Sequence, residues 1–561
     1  MKTPIRKTLV CLSLLTLLTS LPLATYSQSV MEEWVARYFP AGFNGSDQAT
    51  DLVLDASGNI YVTGGSSRMR SGFDYVTIKY NPDGMQQWLS EFNGHDSLTD
   101  IANAIAIDDA GNVYVTGRTL VLTGIAHSDY LTIKYDPDGN ELWTARYDGP
   151  AHQTDMAVDI AVDGQGNVYV TGNCTADSTY IDLATIKYNA AGAEQWVVRY
   201  NPPGAEDAKA LKVDGAGNVY VTAKTITDST GFDYVTIKYD TDGNQQWIAR
   251  YNSPSNANDE PNDLVLDDAG NVYVTGRSIV STTGEDFLTI KYNSQGDRRW
   301  TARFTGLNTL QSERGNALAV DDAGNVYVTG GSYGGTVGGF SDIATVMYDS
   351  NGTEQWRARY NFISAGIDEA TCIAVDAERN AYVAGYSQSA NNYDCITIRY
   401  SPTGAEQWAA RYNGTLNSLD QISAIALDPF NNVIVTGSSR ATGSNEDYTT
   451  IKYSQSPTGV GAAAENLTGT PYLYQNFPNP FNPSTRIRYA IPAAAHGTTI
   501  DVTLRVFDLL GNQIAERVDR RGEAGIFDID FRMPDHAASG VYFYQVTTGD
   551  FLATGRMLFL K

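Results

Sequence analysis

The sequence is poor in cysteine. It has four Cys in 561 residues, and one of them, Cys11, stands inside an apolar stretch near the start. The other three, Cys174, Cys372 and Cys395, are an odd number without close spacing, which argues against a disulfide framework and against a cysteine metal site. Stability must therefore come from packing, and we interpret these three as small core residues.

Long apolar stretches are absent after the first residues. Lys2, Arg6 and Lys7 precede an apolar stretch from Thr8 to Ala24, and small residues follow it before Gln28. This pattern predicts a cleaved signal sequence over residues 1–27 and an exported protein, secreted or on the outer cell surface. No later stretch is apolar enough to cross a bilayer, so no membrane span is predicted.

Cations are scarce relative to acids. The chain has 39 Lys and Arg against 64 Asp and Glu, a net charge of −25. The excess of acids lies between residues 28 and 465, because the region after residue 465 has equal numbers of both signs. Such a body repels nucleic acid and anionic membranes, which excludes both as partners. Cations and neutral polymers remain candidate ligands.

Repetition is what the chain has in abundance. The segment "DDAGNVYVTG" occurs at Asp108, Asp267 and Asp321, and related segments bring the number of copies to eight. Each copy contains four short β-type runs joined by turn sequences such as Asp-x-x-Gly-Asn, which is typical of an antiparallel meander. Four strands in each of many repeats predict an all-β chain with a β-propeller over residues 28–453.

The tryptophans predict how this propeller closes. All eight occupy the same place in the fourth run of a repeat: Trp34, Trp88, Trp143, Trp196, Trp247, Trp300, Trp356 and Trp408. Trp34 precedes the first repeat, whereas the last repeat, which ends at Tyr453, has no Trp run. The segment from Trp34 to Tyr38 is therefore predicted to complete the last blade, giving eight blades closed by the N-terminal strand. We interpret the tryptophans as an outer aromatic girdle rather than as sugar-binding platforms.

Two sequence motifs carry a resemblance to a known family. The segments "DAGNVYVTG" and "TIKY", the latter followed by Gly-x-x-x-Trp, resemble the bacterial SBBP family of β-propeller repeats over roughly residues 30–455. The resemblance implies the propeller fold and no particular activity, because propellers host unrelated functions.

A different composition follows Tyr453. Residues 454–471 are small, polar and glycine-containing, which predicts a flexible linker. Short alternating runs then predict a small β-sandwich over residues 472–561. The motifs "NFPNPFNPST", "VFDLLGNQI", "SGVYFYQV" and "GRMLFLK" resemble the C-terminal sorting domain of type IX secretion substrates. That resemblance implies an Ig-like domain, recognition by the type IX secretion machinery, and release from a Gram-negative cell or attachment to its surface.

Carboxylates recur at three positions of the repeat. The first series opens the first turn: Asp55, Asp108, Asp163, Asp214, Asp267, Asp321, Asp376 and Asp428. The second series stands eight residues earlier: Asp47, Asp100, Asp155, Glu206, Asp259, Glu313, Asp368 and Asp420. The third series begins the third run: Asp74, Asp129, Asp182, Asp233, Asp286, Asp342, Asp394 and Asp447.

We interpret most of these carboxylates as acceptors of backbone N–H groups in turns and between blades. The second series is also the candidate cation or ligand site. Its eight members are predicted to surround the mouth of the central channel, where they would attract Ca²⁺ or a polycation.

Catalytic patterns are weak. His95, His127 and His152 have no partnered Ser or Cys and no metal-type spacing, so we interpret them as solvated loop residues. The leading function is a non-enzymatic binding, adhesion or scaffold module for an extracellular protein or glycan. The alternative is an extracellular enzyme, either a quinoprotein-like oxidoreductase or a polysaccharide-active protein. An enzyme is expected to have one blade whose loops break the repeat and bring charged groups into a pocket.

Overall fold

The computed structural model describes residues 29–40, 45–67, 72–94, 98–122, 126–175, 181–226, 231–280, 284–306, 312–333, 340–363, 366–389, 392–414, 416–440, 445–456, 472–473, 476, 483–491, 500–509, 511–521, 525–534, 537–548, 551–559 and 561. The predicted signal sequence, His95 and nearly all of the predicted linker lie outside these residues. The described residues are all-β, as predicted, and contain no helix long and apolar enough to span a membrane.

Residues 29–456 form eight four-stranded antiparallel sheets in the part of the chain that is described. Seven sheets consist of four consecutive strands. Sheet 1 contains β2 (Asp47–Leu54), β3 (Ile60–Ser67), β4 (Phe73–Tyr80) and β5 (Gln86–Phe92). Sheet 2 contains β6 (Asp100–Ile107), β7 (Val113–Leu122), β8 (Ala126–Tyr135) and β9 (Glu141–Tyr147). Sheet 3 contains β10 (Met156–Val162), β11 (Val168–Thr175), β12 (Ile181–Tyr188) and β13 (Glu194–Tyr200).

The next four sheets repeat this arrangement. Sheet 4 contains β14 (Glu206–Val213), β15 (Val219–Thr225), β16 (Asp233–Tyr239) and β17 (Gln245–Tyr251). Sheet 5 contains β18 (Asp259–Leu266), β19 (Val272–Ile279), β20 (Glu285–Tyr292) and β21 (Arg298–Phe304). Sheet 6 contains β22 (Glu313–Val320), β23 (Val326–Tyr333), β24 (Ser341–Tyr348) and β25 (Glu354–Tyr360). Sheet 7 contains β26 (Asp368–Val375), β27 (Ala381–Gln388), β28 (Tyr393–Tyr400) and β29 (Glu406–Tyr412).

Sheet 8 combines the two ends of this region. Its first three strands are β30 (Asp420–Leu427), β31 (Val433–Ser439) and β32 (Asp447–Ser456). Its fourth strand is β1 (Ser29–Tyr38), which pairs antiparallel with β32 from Ser29 opposite Ser456 to Tyr38 opposite Tyr448. The strand at the start of the described chain thus covers an edge of β32 that would otherwise expose unpaired backbone groups.

Glycines with positive φ form the hairpin turns. Gly111 (φ 81°) ends the turn between the first two strands of sheet 2, and Gly139 (φ 86°) ends the turn between its last two strands. A Cβ on Gly139 would lie 2.6 Å from Cδ2 of Trp88, which belongs to the preceding sheet. The Trp88 Nε1–H also donates a hydrogen bond of 3.0 Å to the carbonyl oxygen of Pro137 in that turn. The recurring Gly and Trp therefore dock each sheet against its neighbour.

Core clusters span neighbouring sheets. In one such cluster, Tyr61 and Tyr75 of sheet 1 pack against Ile105, Val115 and Ile133 of sheet 2. All five side chains are buried. Because each sheet buries one face against the sheet before it and the other against the sheet after it, the central strands are apolar on both faces.

The two ends of the sheets differ. We call the end with the two short hairpin turns of each sheet the turn end. The opposite end, the loop end, holds the connections between the second and third strands and those between successive sheets. These connections differ in length from sheet to sheet, whereas the short turns are uniform. The first carboxylate series lies at the turn end, and the other two series lie at the loop end.

The C-terminal region has two sheets of its own. Sheet 9 contains β33 (Tyr472–Leu473), β34 (Ser484–Ile491) and β37 (Gly525–Arg532). Sheet 10 contains β35 (Ile500–Phe507), β36 (Gln513–Arg521), β38 (Gly540–Thr548) and β39 (Phe551–Phe559). Side chains from both sheets, among them Ile487, Leu504 and Ile529, share one hydrophobic core.

Candidate functional site

The turn-end carboxylates are satisfied by their own turn. Asp108 Oδ1 accepts hydrogen bonds from the backbone N–H groups of Ala110 and Asn112, and its Oδ2 accepts from Asn112 Nδ2 and Tyr114 Oη. Burial alone would raise the pKa of Asp108, but these hydrogen bonds outweigh it and hold the pKa below its usual range. The pKa values of Asp55 and Asp163 are lowered for the same reason. The first series therefore stabilises the hairpin turns by accepting their backbone N–H groups, as predicted.

The second series, predicted as the candidate cation site, lies at the start of the first strand of each sheet. All eight residues are at most 2% exposed: Asp47, Asp100, Asp155, Glu206, Asp259, Glu313, Asp368 and Asp420. Their hydrogen bonds join three pieces of chain. Asp100 Oδ1 accepts from Thr119 Oγ1 at 2.6 Å, and its Oδ2 accepts from the Gly94 N–H at 2.7 Å. The carboxylate thus fastens the connection from the preceding sheet to the end of the second strand.

Burial perturbs the titration of this series. It raises the pKa of Asp100, Asp155 and Asp259, although hydrogen bonds to their carboxylates partly oppose the rise. In Glu206 and Glu313, burial and a neighbouring carboxylate raise the pKa to about 8. The two glutamates are therefore largely protonated at neutral pH.

Five members of the third series form ion pairs with arginines of the fourth strand: Asp129, Asp286, Asp342, Asp394 and Asp447. Arg359 Nε donates to Asp342 Oδ2 at 2.6 Å in sheet 6, and Arg411 lies 2.7 Å from Asp394 Oδ2 in sheet 7. Sheet 1 differs, because Glu91 stands where the other sheets have arginine, and it accepts a hydrogen bond from Tyr38 Oη. These pairs tie the third strand to the fourth at the loop end.

Four charged side chains that we did not single out in the sequence lie together on the first strands. They are Asp51, Asp159, Asp263 and Lys212, and Lys212 Nζ is 3.6 Å from Asp159 Oδ2. Each aspartate accepts the backbone N–H of a residue in the next sheet: Asp51 from Ile105 at 3.0 Å, Asp159 from Leu211 at 2.7 Å and Asp263 from Leu318 at 3.0 Å. Enclosure by the sheets raises the pKa of Asp51 to about 7.

A signal for this cluster was present in the sequence. Four residues after each second-series acid, the chain alternates Asp51, Ala104, Asp159, Ala210, Asp263, Ala317, Cys372 and Ala424. Lys212 is the one cation at its own repeat position, where the other repeats have Val or Ala. A period of two repeats, rather than one, was the pattern to look for.

The cysteines are consistent with their interpretation as small core residues. Cys174 and Cys395 are buried and Cys372 is half-buried, and all three are free thiols. Burial raises the pKa of Cys174 and of Cys372 to about 12, so both remain protonated at neutral pH.

His127 differs from the expectation of a solvated loop residue. It lies on β8 and is buried, and its Nε2 is 3.5 Å from Asp129 Oδ1. The reason is that β7 and β8 are ten residues long, so that the hairpin continues past the point where neighbouring strands end. His152 is exposed as predicted, and its Nδ1 is 2.9 Å from Asp148 Oδ2.

A shallow cleft of about 380 Å³ lies on the outer strand of sheet 5. It is lined by Tyr251, Arg298, Arg299 and Trp300 together with Asn252, Pro254 and Thr301. Among the described residues, its lining contains no carboxylate, histidine or cysteine.

Repeated four-stranded antiparallel sheets with this docking pattern define a β-propeller repeat protein. In agreement, the β-propeller repeat family SBBP matches residues 87–122 and 246–281. The uncharacterized WD repeat-containing protein L264 of Acanthamoeba polyphaga mimivirus is 24% identical over 444 residues, which are 74% of this chain and 26% of that protein. The chain therefore spans about a quarter of the length of this curated relative.

Solved structures with a detectable similarity include two proteins of unknown function. One, from Bacteroides caccae, has 14% identity and a TM-score of 0.30 and covers 54% of this chain and 93% of its own. The other, from Dyadobacter fermentans DSM 18053, has 9% identity and a TM-score of 0.32, with 58% and 96% covered. A puromycin hydrolase mutant complexed with PGG has 10% identity and a TM-score of 0.39, with 70% and 58% covered. Similarities of this size define no function.

Proposed function

We propose that the protein is an exported β-propeller of eight blades that acts as a non-enzymatic binding, adhesion or scaffold module. Its N-terminal strand closes the ring, its loop end binds an extracellular protein or glycan, and its C-terminal region is an Ig-like type IX sorting domain. The alternative, an extracellular enzyme, would need acid and base groups gathered in one pocket.

Closure is supported by contacts between sheet 8 and sheet 1 that match those between other sheets. Trp34 Nε1 donates to the Pro82 carbonyl oxygen of sheet 1 at 3.0 Å, as Trp88 does to Pro137 of sheet 2. Tyr448 Oη of sheet 8 donates to the Val76 carbonyl oxygen at 3.4 Å. Trp34 of β1 thus makes the same contact with the next sheet that the fourth-strand Trp makes in other sheets.

The observation that carries the binding role is the distribution of exposed apolar side chains. Ten large apolar residues are exposed within the described part of residues 29–456, and six of them lie at the loop end. Those six are Phe39, Leu122, Ile181, Phe340, Phe362 and Leu416. Variable connections on a rigid scaffold are where binding residues usually lie, and these side chains are exposed there to contact a partner.

A matched pair of variants tests this role. Phe340→Ser combined with Phe362→Ser removes two loop-end apolar side chains, and Leu142→Ser combined with Phe430→Ser removes two at the turn end. The wild type and both variants are screened against extracellular proteins and glycans. We expect the first variant to lose binding at least tenfold and the second to bind like the wild type. The opposite pattern, or turnover of a bound glycan, would contradict the proposal.

The sorting role has a separate test. Residues 472–561 are fused to a periplasmic reporter in a bacterium that has a type IX machinery, beside the reporter alone. We expect the fused reporter outside the outer membrane and the unfused one in the periplasm. A fused reporter that remains in the periplasm with its tail intact would contradict this role without affecting the binding role.

Calcium binding by the second series stays a prediction. Calorimetry with Ca²⁺ before and after Asp259→Asn gives the answer, because Ca²⁺ binding requires several carboxylate oxygens. If the addition of Ca²⁺ releases no heat and does not raise Tm, calcium binding is ruled out. The inward hydrogen bonds of these residues, such as those of Asp100, compete with any ion.

A further inference from the structure

One loop-end position breaks the repeat in sheet 2. Two residues after the fourth-strand arginine position, which is Glu91 in sheet 1, five repeats have asparagine: Asn93, Asn201, Asn252, Asn361 and Asn413. The repeat of sheet 2 has Asp148 there, the one charged residue at this position. Asp148 lies beside Asp129, the third-series carboxylate of the same sheet.

Sheet 6 shows what the asparagine does. Asn361 Nδ2 donates a hydrogen bond of 2.8 Å to Asp342 Oδ1, while Arg359 donates to Asp342 Oδ2. In sheet 2, Arg146 likewise donates to Asp129 Oδ2. Asp148, however, has no proton to donate to Asp129 Oδ1 when it is ionised.

Two buried carboxylate oxygens at the loop end of sheet 2 accept no hydrogen bond from the described residues. Asp129 Oδ1 and Asp148 Oδ1 are both shielded from solvent, and neither accepts a hydrogen bond from the residues that the structure describes. Asp129 as a whole is 0% exposed. Buried carboxylate oxygens of this kind require a hydrogen-bond donor or a cation. While both groups are ionised they cannot satisfy each other, because both oxygens are acceptors.

A nitrogen ligand completes the group. Two residues before the third-series aspartate, sheet 7 has Asn392, which donates to Asp394 Oδ1 at 2.9 Å. Sheet 2 has His127 at that position. One donor atom each of His127, Asp129 and Asp148 lies within 4.8 Å of the other two. In a tetrahedral site with bonds of about 2.1 Å, two ligand atoms are about 3.4 Å apart, and His127 Nε2 lies 3.5 Å from Asp129 Oδ1.

We propose that His127 Nε2, Asp129 Oδ1 and Asp148 Oδ1 bind one divalent transition-metal ion of the zinc class. An imidazole nitrogen with two carboxylate oxygens suits Zn²⁺, Mn²⁺ or Co²⁺ better than Ca²⁺, which takes oxygen ligands. Three protein ligands leave the fourth position open, as in zinc sites that bind a further molecule. The site is distinct from the eight second-series carboxylates and does not depend on the proposed binding role.

His152 is the positioning residue of this site. Its Nδ1 lies 2.9 Å from Asp148 Oδ2, so that Oδ1 is the oxygen of Asp148 without a hydrogen bond from the described residues. The loops after sheets 4 and 7 have Asn256 and Asn417 at the same place, and like His152 both have positive φ. The pairs Asn252–Asn256 and Asn413–Asn417 are neutral equivalents of the Asp148–His152 pair.

The test uses the untagged full-length protein, freed of metal with a chelator and titrated with Zn²⁺ by calorimetry. We expect one equivalent to bind with a Kd on the order of 1 µM or tighter and to raise Tm by several degrees. Co²⁺ in its place should give a visible absorption spectrum. Asp148→Asn and His127→Asn, both natural residues of other repeats, should each weaken binding at least 100-fold.

Asp148→Asn should leave the metal-free Tm unchanged or higher, because the asparagine amide can donate to Asp129 Oδ1 as Asn361 does to Asp342. His152→Asn should weaken Zn²⁺ binding about 10- to 100-fold without abolishing it. Asn361→Asp, which adds a carboxylate in sheet 6 without a histidine, should create no comparable site. Absence of Zn²⁺ binding, or equal binding by Asp148→Asn, would overturn the proposal and leave an imidazolium between two carboxylates as the explanation.

Discussion

The turn end and the loop end of the same sheets use one residue type in opposite ways. At the turn end, Asp108 is surrounded by donors from the next six residues, and its pKa is lowered. At the loop end, Asp100 is held by groups six residues before it and 19 or 20 after it, and its pKa is raised. The difference shows that burial by distant strands and local hydrogen bonds, not the residue type, decide the direction in which the pKa of a carboxylate moves.

The opposite pKa shifts at the two ends make the stability of the fold depend on pH. A turn-end aspartate with a lowered pKa stabilises the fold above its unfolded pKa, and this contribution is lost as the pH falls through the folded pKa. For Glu206 and Glu313 the sign is reversed. Their folded pKa of about 8 lies above the unfolded value, so their contribution is present below about pH 4.5 and is lost as the pH rises to 8. The contributions of these groups are therefore greatest together in mildly acidic solution.

The largest expected effect comes from removing the fourth strand of sheet 8, which extends from the loop end to the turn end. A chain that starts at residue 39 lacks β1, whereas a chain that starts at residue 29 retains it. We expect the shorter chain to lose more than about 5 kcal/mol, or not to fold, because the contacts of Trp34 are removed and the edge of β32 is left unpaired. Urea unfolding followed by tryptophan fluorescence measures this. Equal stability of the two chains would contradict the closed ring.

A pair of turn-end glycines gives the next largest effect. Gly139→Ala should cost about 3 kcal/mol, because its Cβ would meet Trp88 of the preceding sheet. Gly111→Ala has a similar φ, but its Cβ would be 3.4 Å from the nearest atom, Pro137 Cγ, so only the backbone cost of about 1 kcal/mol is expected. Equal losses in urea unfolding would mean that docking by Trp88 does not depend on this glycine.

Carboxylates from the two ends should respond to neutralisation in opposite directions. Asp108→Asn removes an ionised acceptor and should cost about 2 kcal/mol at pH 7. The double variant Glu206→Gln with Glu313→Gln should be about 2 kcal/mol more stable than the wild type at pH 8 and indistinguishable from it near pH 4.5. Tm measured from pH 4 to 9 tests both. A double variant that is less stable at pH 8 would refute the assignment of raised pKa values.

The smallest effect concerns single hydroxyl groups. Tyr114 Oη donates a 2.8 Å hydrogen bond to Asp108 Oδ2, so Tyr114→Phe should cost about 1 kcal/mol. Tyr292 is also buried, but its Oη has no hydrogen-bond partner among the described residues, so Tyr292→Phe should change stability by less than about 0.5 kcal/mol. Thermal unfolding at pH 7 compares the two, and a larger loss in Tyr292→Phe would contradict the expected order.

Much of the fold could be predicted, because its signals are local. The four strands of each repeat and the turn that ends at Gly111 involve residues close in sequence. The pairing of β1 with β32 was predicted as well, from the count of tryptophans rather than from local propensity. The burial of His127 was not predicted, since the greater length of β7 and β8 is not evident from the repeat pattern.

By itself, the sequence determined the all-β class, the repeat and the chemistry of the turn end, because those hydrogen bonds close within six residues. Only the tertiary structure decided which distant side chains meet: Asp51 with the backbone of Ile105, and Asp148 with Asp129. It also decided that the second-series carboxylates are buried and that the pKa of Asp100, among them, is raised. The physical reason is that desolvation depends on the packing of neighbouring sheets, which no single repeat specifies.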